Sequence, residues 1–482
     1  MSYSILNADL FDGLATLADN SVHCAVTSPP YWGLRDYGIP PRTWADGSVC
    51  PFGNEPTPDL YIDHAVQIFR AIKRVLRDDG TLWLNLGDSY YSGNSAQVGI
   101  DAGKHSYAVD SIPAMSANRL LSVREARQQG LKPGDLCNIP NSVATALRND
   151  GWYWRSTIIW SKGNPMPESV SGTRWVRCRL KLAGVPVPHP NAEGENGVLR
   201  NLQGRHATWA PCPGCDKCRS AGGYVLQRGK WRPTTSHEYI YMFSKGPSYF
   251  CDGEAAREPV SGTAHSRGTG VNPKARNTKA GGTVKQNRSF SAAVSQLVET
   301  KNPRTVWNIG TYSYRNAHFA TFPPELPRRC IVAGTAATCC SQCGAPYAPV
   351  VDTERVATRP GNNTKVGRVS QHTDSPYEVQ SGSVVGNRDP QRHVSVRSVT
   401  GHLPTCRCGV DTVIPATVLD PFAGSGTTGQ VAHSLGRHAI LIEVNPDYVS
   451  LIEERVKAPL RPRRVTAKRN RHVDQSNQRQ LF

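Results

Sequence analysis

The 482-residue chain has no run of about 18 uninterrupted apolar residues, the length a bilayer-spanning helix needs. Its first ten residues have no basic segment leading into an apolar one, so nothing there reads as a secretion signal. These two absences predict a soluble, non-secreted protein with no membrane partner. Acidic residues are in short supply, 38 Asp and Glu against 56 Lys and Arg, which leaves a formal net charge of +18. That imbalance favours a polyanionic partner, because each Lys or Arg near a phosphate releases condensed counterions. No internal repeat is visible. Cysteine, by contrast, is plentiful at 14 residues. In a cytosolic setting such thiols point to metal sites or buried side chains before disulfides.

The length suits a large core with smaller modules. The front of the chain alternates strand and helix. Val22 to Thr27 reads as a strand ending at Ser28-Pro29-Pro30. Asp63 to Leu76 reads as a helix, with Ala65, Ile68, Phe69, Ile72, Val75 and Leu76 on one face. Gly80 is expected to stop it, and Thr81 to Leu86 to resume as a strand. A helix near Val143 to Leu147 and a strand from Tyr153 to Trp160 follow. Residues 165–310 break this rhythm, apart from a strand-like His237 to Phe243. The stretch from Gly262 to Asn287 is polar and expected to be a mobile loop, and residues 353–402 are polar and expected to be extended or disordered. Regular structure returns with a strand at Thr417 to Asp420, a helix at Thr428 to Leu435 and a strand at His438 to Val444. The fold class is therefore α/β.

Residues 417–429 read TVLDPFAGSGTTG, a strand running into a glycine-rich turn and a helix. Gly424, Gly426 and Gly429 give G-x-G-x-x-G, and Glu443 closes the next strand. Glycines let the backbone approach a ligand, and an acid there can accept from two ribose hydroxyls. A dinucleotide-binding dehydrogenase shows the same spacing. Against it stand Asp420-Pro421-Phe422 before the first glycine and the position of the motif near the C-terminus.

Residues 26–38 read VTSPPYWGLRDYG. Two prolines fix the backbone of Ser28-Pro29-Pro30-Tyr31 and remove two N–H donors. What is left accepts hydrogen bonds: carbonyl oxygens and the Ser28 hydroxyl. An exocyclic amino group on a base is a poor nucleophile because its lone pair is delocalised into the ring. Accepting its hydrogens at Ser28 and at the Pro29 carbonyl favours a tetrahedral, nucleophilic nitrogen. Tyr31, with Trp32 as a second candidate, offers a flat face to a base swung out of the duplex.

Together these residues resemble the amino-group DNA methyltransferases of the β-type order, in which the catalytic motif precedes the cofactor motif. Leu6-Asn7-Ala8-Asp9, Gly80 to Leu86, Arg232 to Tyr239, and Asn316 to Pro323 extend the resemblance to about half the chain. It implies a Rossmann-like sheet, circularly permuted in motif order, with an inserted target-recognition region. It implies S-adenosylmethionine as cofactor, bound by Asp420, Pro421, Phe422, Gly424, Gly426 and Glu443, with Asp9 and Phe322 as helpers. Ser rather than Asp or Asn at the head of the catalytic tetrapeptide leans the family resemblance toward cytosine N4 and away from adenine N6. The expected organisation is a catalytic half at 1–164, target recognition at 165–310, a cofactor half at 311–338 and 411–458, an insert at 339–410 and a basic tail at 459–482. The resemblance also implies double-stranded DNA as partner and a monomer or homodimer. Other classes are an RNA or protein methyltransferase, disfavoured by motif order, and an inactive zinc-ribbon DNA-binding protein, disfavoured by two intact motifs.

Cys340-x-x-Cys343 and Cys406-x-Cys408 form two knuckles that suit one tetrahedral Zn²⁺ in a zinc-ribbon-like insert, with Cys339 as a spare. Cys212-x-x-Cys215-x-x-Cys218 supplies three more thiols. A fourth ligand is Cys178, Cys251 or His206, with Cys178 preferred. Cys24, Cys137 and Cys330 read as buried thiols. Region 165–310 carries Arg174, Arg177, Arg179 and Arg232, a residue type that braces phosphates and reads guanine edges, with Trp175 and Trp231 among them.

Overall fold

A computed structural model describes residues 3–34, 39–91, 130–165, 171–181, 209–259, 300–312, 322–357 and 393–460. His206, the polar stretch from Gly262 to Asn287, the segment from Asn316 to Thr321, most of the linker inside the cysteine insert, and residues 461–482 of the basic tail lie outside them.

Eight strands form the central sheet: β1 (Tyr3–Asn7), β2 (Val22–Thr27), β3 (Leu76–Leu86), β4 (Tyr153–Ser161), β5 (His237–Ser244), β6 (Val306–Asn308), β7 (Thr417–Asp420) and β8 (His438–Glu443). Their spatial order is β1-β8-β7-β2-β3-β5-β4-β6. All neighbours are parallel except β5, which runs antiparallel to both β3 and β4. From β7 the chain walks outward to β8, while β2, at its side, leads the other way to β3. The carboxyl ends of β7 and β2 therefore flank a topological switch point, where open α/β sheets bind their ligands.

Alternation along the strands splits the core between the two faces. Leu82, Leu84 and Leu86 of β3, Tyr241 and Phe243 of β5, and Ile440 and Ile442 of β8 point to one side. After the short α1 (Leu10–Ala15), helix α2 (Pro58–Val75) covers that side through Tyr61, Ala65, Ile68, Phe69, Ile72 and Val75, joined by α3 (Ile139–Asn149). Thr57 caps α2, its side chain accepting from Leu60 N, and Pro58 occupies the first turn, where a missing N–H is harmless. Trp83, Ile240, Met242, Ala439 and Leu441 point to the other side. There they meet α4 (Glu325–Gly334), α5 (Thr427–Ser434) and α6 (Pro446–Lys457).

The expected strands and helices are present to within a few residues, with one correction at Gly80. The helix ends at Val75, and β3 begins at Leu76 and runs through the glycine. The register between β2 and β3 shifts there, so Arg77 to Gly80 form a bulge. Turn-like residues mark that bulge and not a helix stop.

A second compact unit covers Gly163–Ser236, a shorter span than 165–310, because β5 and β6 belong to the central sheet. Within it Arg174–Arg177 pairs with Tyr224–Gln227, and Arg179–Lys181 pairs with Trp209–Pro211. The insert at 339–410 is a long ribbon, Tyr347–Ala357 against His393–Pro404. Its two ends meet where Cys339 pairs with Ile414, so it interrupts the sequence without parting α4 from β7. No described helix is long and apolar enough to cross a membrane.

Candidate active site

β2 is buried along its whole length and delivers Ser28-Pro29-Pro30-Tyr31 at its carboxyl end. A bracket from residues 53–61 fixes this loop. Tyr61 Oη donates to the Pro30 carbonyl at 2.8 Å, Gly33 N donates to Gly53 O at 2.8 Å, and Trp32 Nε1 donates to Glu55 O at 2.9 Å. Gly53 has φ +98°, and a Cβ there would stand 2.9 Å from Pro30 Cβ. Trp32 is buried in the core, so it is not a second stacking face. The Tyr31 ring lies against Gly87, where a Cβ would come within 2.7 Å of its Cε2.

The Tyr31 hydroxyl belongs to a polar cluster. It donates to Glu238 Oε2 at 2.8 Å and accepts from Asn85 Nδ2 at 2.8 Å and from Ser28 Oγ at 3.2 Å. Asn85 Nδ2 also contacts Glu238 Oε2 at 2.9 Å, and Lys162 Nζ pairs with Glu238 Oε1. No role for Asn85, Lys162 or Glu238 follows from the sequence alone. The available signal was polarity inside buried strands: Asn85 interrupts Leu-Trp-Leu-Asn-Leu, and Glu238 heads the apolar β5.

At the neighbouring strand end, β7 runs into the glycine loop and α5. Gly424 and Gly426 have φ +52° and +78°, a region L side chains avoid. Gly429 packs α5 onto β8, since a Cβ would fall 2.4 Å from Leu441 Cδ1. Glu443 Oε2 accepts from Gly424 N at 2.7 Å, and Oε1 accepts from Asn445 N at 2.9 Å. Burial raises its carboxyl above the usual range. Asp420 is buried deeper. Its oxygens accept from Thr27 Oγ1 at 2.8 Å, Thr428 Oγ1 at 2.7 Å and Phe422 N at 3.2 Å. Burial pushes its carboxyl up to about 6 against those bonds. Pro421 is buried and Phe422 half-buried.

These contacts join the two loops. Thr27, the residue before Ser28, bonds to Asp420, the residue before the glycine turn. Phe422 stacks on Phe52, and Phe52 stacks on Tyr61, whose hydroxyl holds Pro30. Asp9 follows β1, accepts from Phe11 N at 2.9 Å and pairs with Arg42. Asn7, two residues earlier, donates to Glu443 O. Phe322 packs partly buried against the core that includes Ala423.

The family model described as DNA methylase, N6/N4 type, matches residues 22–338 and 415–454, most of the chain. The chain belongs to the N6/N4 DNA methylase family. It is a DNA methyltransferase, its substrate is DNA, and its methyl donor is S-adenosylmethionine. The Type II methyltransferase M.XycI of Xanthomonas campestris pv. cyanopsidis is 30% identical over 454 residues, 94% of this chain and 87% of its own. The Type II methyltransferase M.SmaI of Serratia marcescens is 29% identical over 455 residues, 94% of this chain and 91% of its own. A solved PvuII DNA methyltransferase, titled cytosine-N4-specific, overlays with TM-score 0.42 and 12% identity, covering 96% of this chain and 89% of that one.

The two matched spans leave out 339–414, so the ribbon is an addition to what the methylase family model describes. Cys340, Cys343, Cys406 and Cys408 converge at its base, every pair of sulfurs within 4.8 Å. In the second unit Cys178, Cys212, Cys215 and Cys218 converge equally. Their sulfurs stand 3.7 Å (178 to 215), 3.7 Å (215 to 218) and 3.9 Å (218 to 212) apart. A tetrahedron of four zinc–sulfur bonds has edges of ~3.8 Å. Cys178 is the fourth member; Cys251 packs against the sheet core. Cys24 and Cys137 are pushed up to about 12 and about 11 by burial, and Cys330 is raised as well, which keeps them protonated and inert.

Proposed function

We propose that this methyltransferase acts on the N4 amino group of cytosine at a fixed DNA sequence, with Ser28-Pro29-Pro30-Tyr31 holding the extruded base. The observation that carries the reading is the Thr27–Asp420 bond, which sets the carbonyl-rich loop beside the glycine loop at the switch point. S-adenosylmethionine supplies an electrophilic methyl group there. The chain's own residues do the rest. Ser28 Oγ and the Pro29 carbonyl accept the two amino hydrogens and draw the nitrogen lone pair out of conjugation. Tyr31 stacks on the base with the ring face turned away from Gly87. Gly424 and Gly426 let the backbone approach the cofactor, Glu443 accepts from its ribose hydroxyls by exchanging its bond to Gly424 N, and Phe422, Pro421, Asp9 and Phe322 line its two ends. Asp420, spent on Thr27 and Thr428, shapes the loop from beneath.

Ser28 in place of an acid or amide supports cytosine over adenine. Each four-cysteine set holds one structural Zn²⁺, and the unit Gly163–Ser236, with Arg174, Arg177 and exposed Trp175 and Trp231, reads the target sequence. The named relatives are Type II methyltransferases, and this chain takes the same place in restriction–modification, in the cytoplasm of a bacterial cell. The test is nucleoside mass spectrometry of DNA methylated by the purified protein. N4-methylcytosine, lost in Tyr31→Ala, is expected. N6-methyladenine would overturn the base assignment, and full activity in Tyr31→Ala would overturn the role of the loop.

A further inference from the structure

Ser28 helps a base amino group only as an acceptor, so its own hydroxyl hydrogen must be held elsewhere. A hydroxyl is both donor and acceptor and turns to suit its neighbours. If Ser28 turned its hydrogen toward the amino nitrogen, it would bind the lone pair that the reaction needs. Something must set its direction.

The polar cluster beneath Tyr31 contains such a device. Ser28 Oγ donates to Tyr31 Oη at 3.2 Å, and Tyr31 Oη donates to Glu238 Oε2 at 2.8 Å. The chain ends on groups that cannot reverse it. An ionised carboxylate only accepts, and the ammonium of Lys162 on Glu238 Oε1 only donates. Asn85 Nδ2, another donor, reaches Tyr31 Oη at 2.8 Å, Glu238 Oε2 at 2.9 Å and Ser28 Oγ at 3.3 Å, so it cannot take the Ser28 hydrogen and leaves Tyr31 to accept it. The pair is sheltered, with side chains 23% and 14% exposed for Lys162 and Glu238, so water competes weakly for it. Glu238 stands on β5 opposite Trp160 of β4, and Lys162 follows directly after β4.

We propose that Glu238, balanced by Lys162, is a positioning residue that fixes the direction of the Ser28–Tyr31 hydrogen-bond chain and so keeps Ser28 an acceptor toward the substrate amino group. The proposal rests on the reading that Ser28 and Tyr31 hold the reacting base. Glu238 acts through Tyr31, so it sets the rate of transfer and leaves binding alone.

Three variants of the full chain test this: Glu238→Gln, Tyr31→Phe and the two combined. Glutamine keeps the shape, but its amide can donate to Tyr31, so the direction is no longer imposed. Phenylalanine keeps the stacking ring and removes the link. Each single change is expected to lower kcat roughly tenfold to hundredfold, the size of one hydrogen bond to a charged group. KM for DNA and the Kd for S-adenosylmethionine should stay within about twofold, and the double variant should be little slower than the slower single one. Should Glu238→Gln not fold, Tyr31→Phe carries the same expectation alone. Wild-type kcat in Glu238→Gln or Tyr31→Phe, losses that multiply, or a loss confined to KM would overturn the proposal. Tyr31→Ala separates the two levels. If it is inactive while Tyr31→Phe and Glu238→Gln keep full rate, the directional chain fails and the base-holding loop stands. If it keeps full rate, the loop reading itself fails.

Discussion

Thr27 and Asp420 are 393 positions apart in sequence and 2.8 Å apart in space. Asp420 is fully buried, and its carboxyl is pushed up to about 6 by desolvation despite three hydrogen bonds. Its unfolded value lies near 3.8. Between the two values the folded chain keeps a proton that the unfolded chain has lost, so this residue makes folding less favourable as pH rises from about 4 to about 6, and the loss levels off above. The full loss is about 3 kcal/mol. Denaturant unfolding of wild type and Asp420→Asn should therefore diverge across that window, wild type losing stability relative to the variant; parallel curves would show that the carboxyl is not perturbed. At this scale the motifs were legible because Pro-Pro and Gly-x-Gly leave a backbone signature. Asn85 and Glu238 were not, because a polar residue inside a buried strand says that a partner exists without saying which. Cys178 was legible as the missing ligand only because its set lacked one thiol.

Among the elements, period 3.6 in α2 and the alternation of short strand-like and helical segments along the chain made most of the α/β core legible. The exception at Gly80 has a local cause: a Cβ there would stand 2.7 Å from Leu76 Cγ and 3.0 Å from His23 O. Glycine is needed by close approach inside a bulge, which from sequence alone looks like a helix stop. Residues 165–310 read as one region because β5 and β6 are short islands among polar stretches, and only strand pairing returns them to the sheet. The ribbon is different, since its strands pair with each other and its ends are closed by Cys339 and Ile414. Asp352 and Ser398 face each other across it. Joining them through a two-residue Asn-Gly turn removes the outer ribbon and leaves the cysteine knuckles in place. This shortened protein is expected to methylate DNA within about twofold of the wild-type rate, as a part outside the catalytic elements should. Loss of methyl transfer with S-adenosylmethionine binding intact would make the ribbon part of DNA engagement.

Across the whole molecule the catalytic and cofactor loops meet from distant sequence, and each cysteine set converges within its own unit. The two sets make a stoichiometric prediction: about two Zn²⁺ per chain by elemental analysis, falling to about one in Cys212→Ser. A metal-free protein of unchanged stability would leave both sets as reduced thiols. The net charge of +18 fits a DNA substrate, and no arrangement of that charge is needed to derive the chemistry. We propose that the Ser28–Tyr31 loop and the glycine loop form one amino-methylating site. Single-molecule sequencing of DNA from cells expressing the protein, against the Ser28→Ala, Tyr31→Ala double variant, tests it most directly. Modified cytosines at one recurring sequence are expected in the first DNA and none in the second. Modification that persists in the double variant, or no modification by a folded protein that binds S-adenosylmethionine, would contradict it.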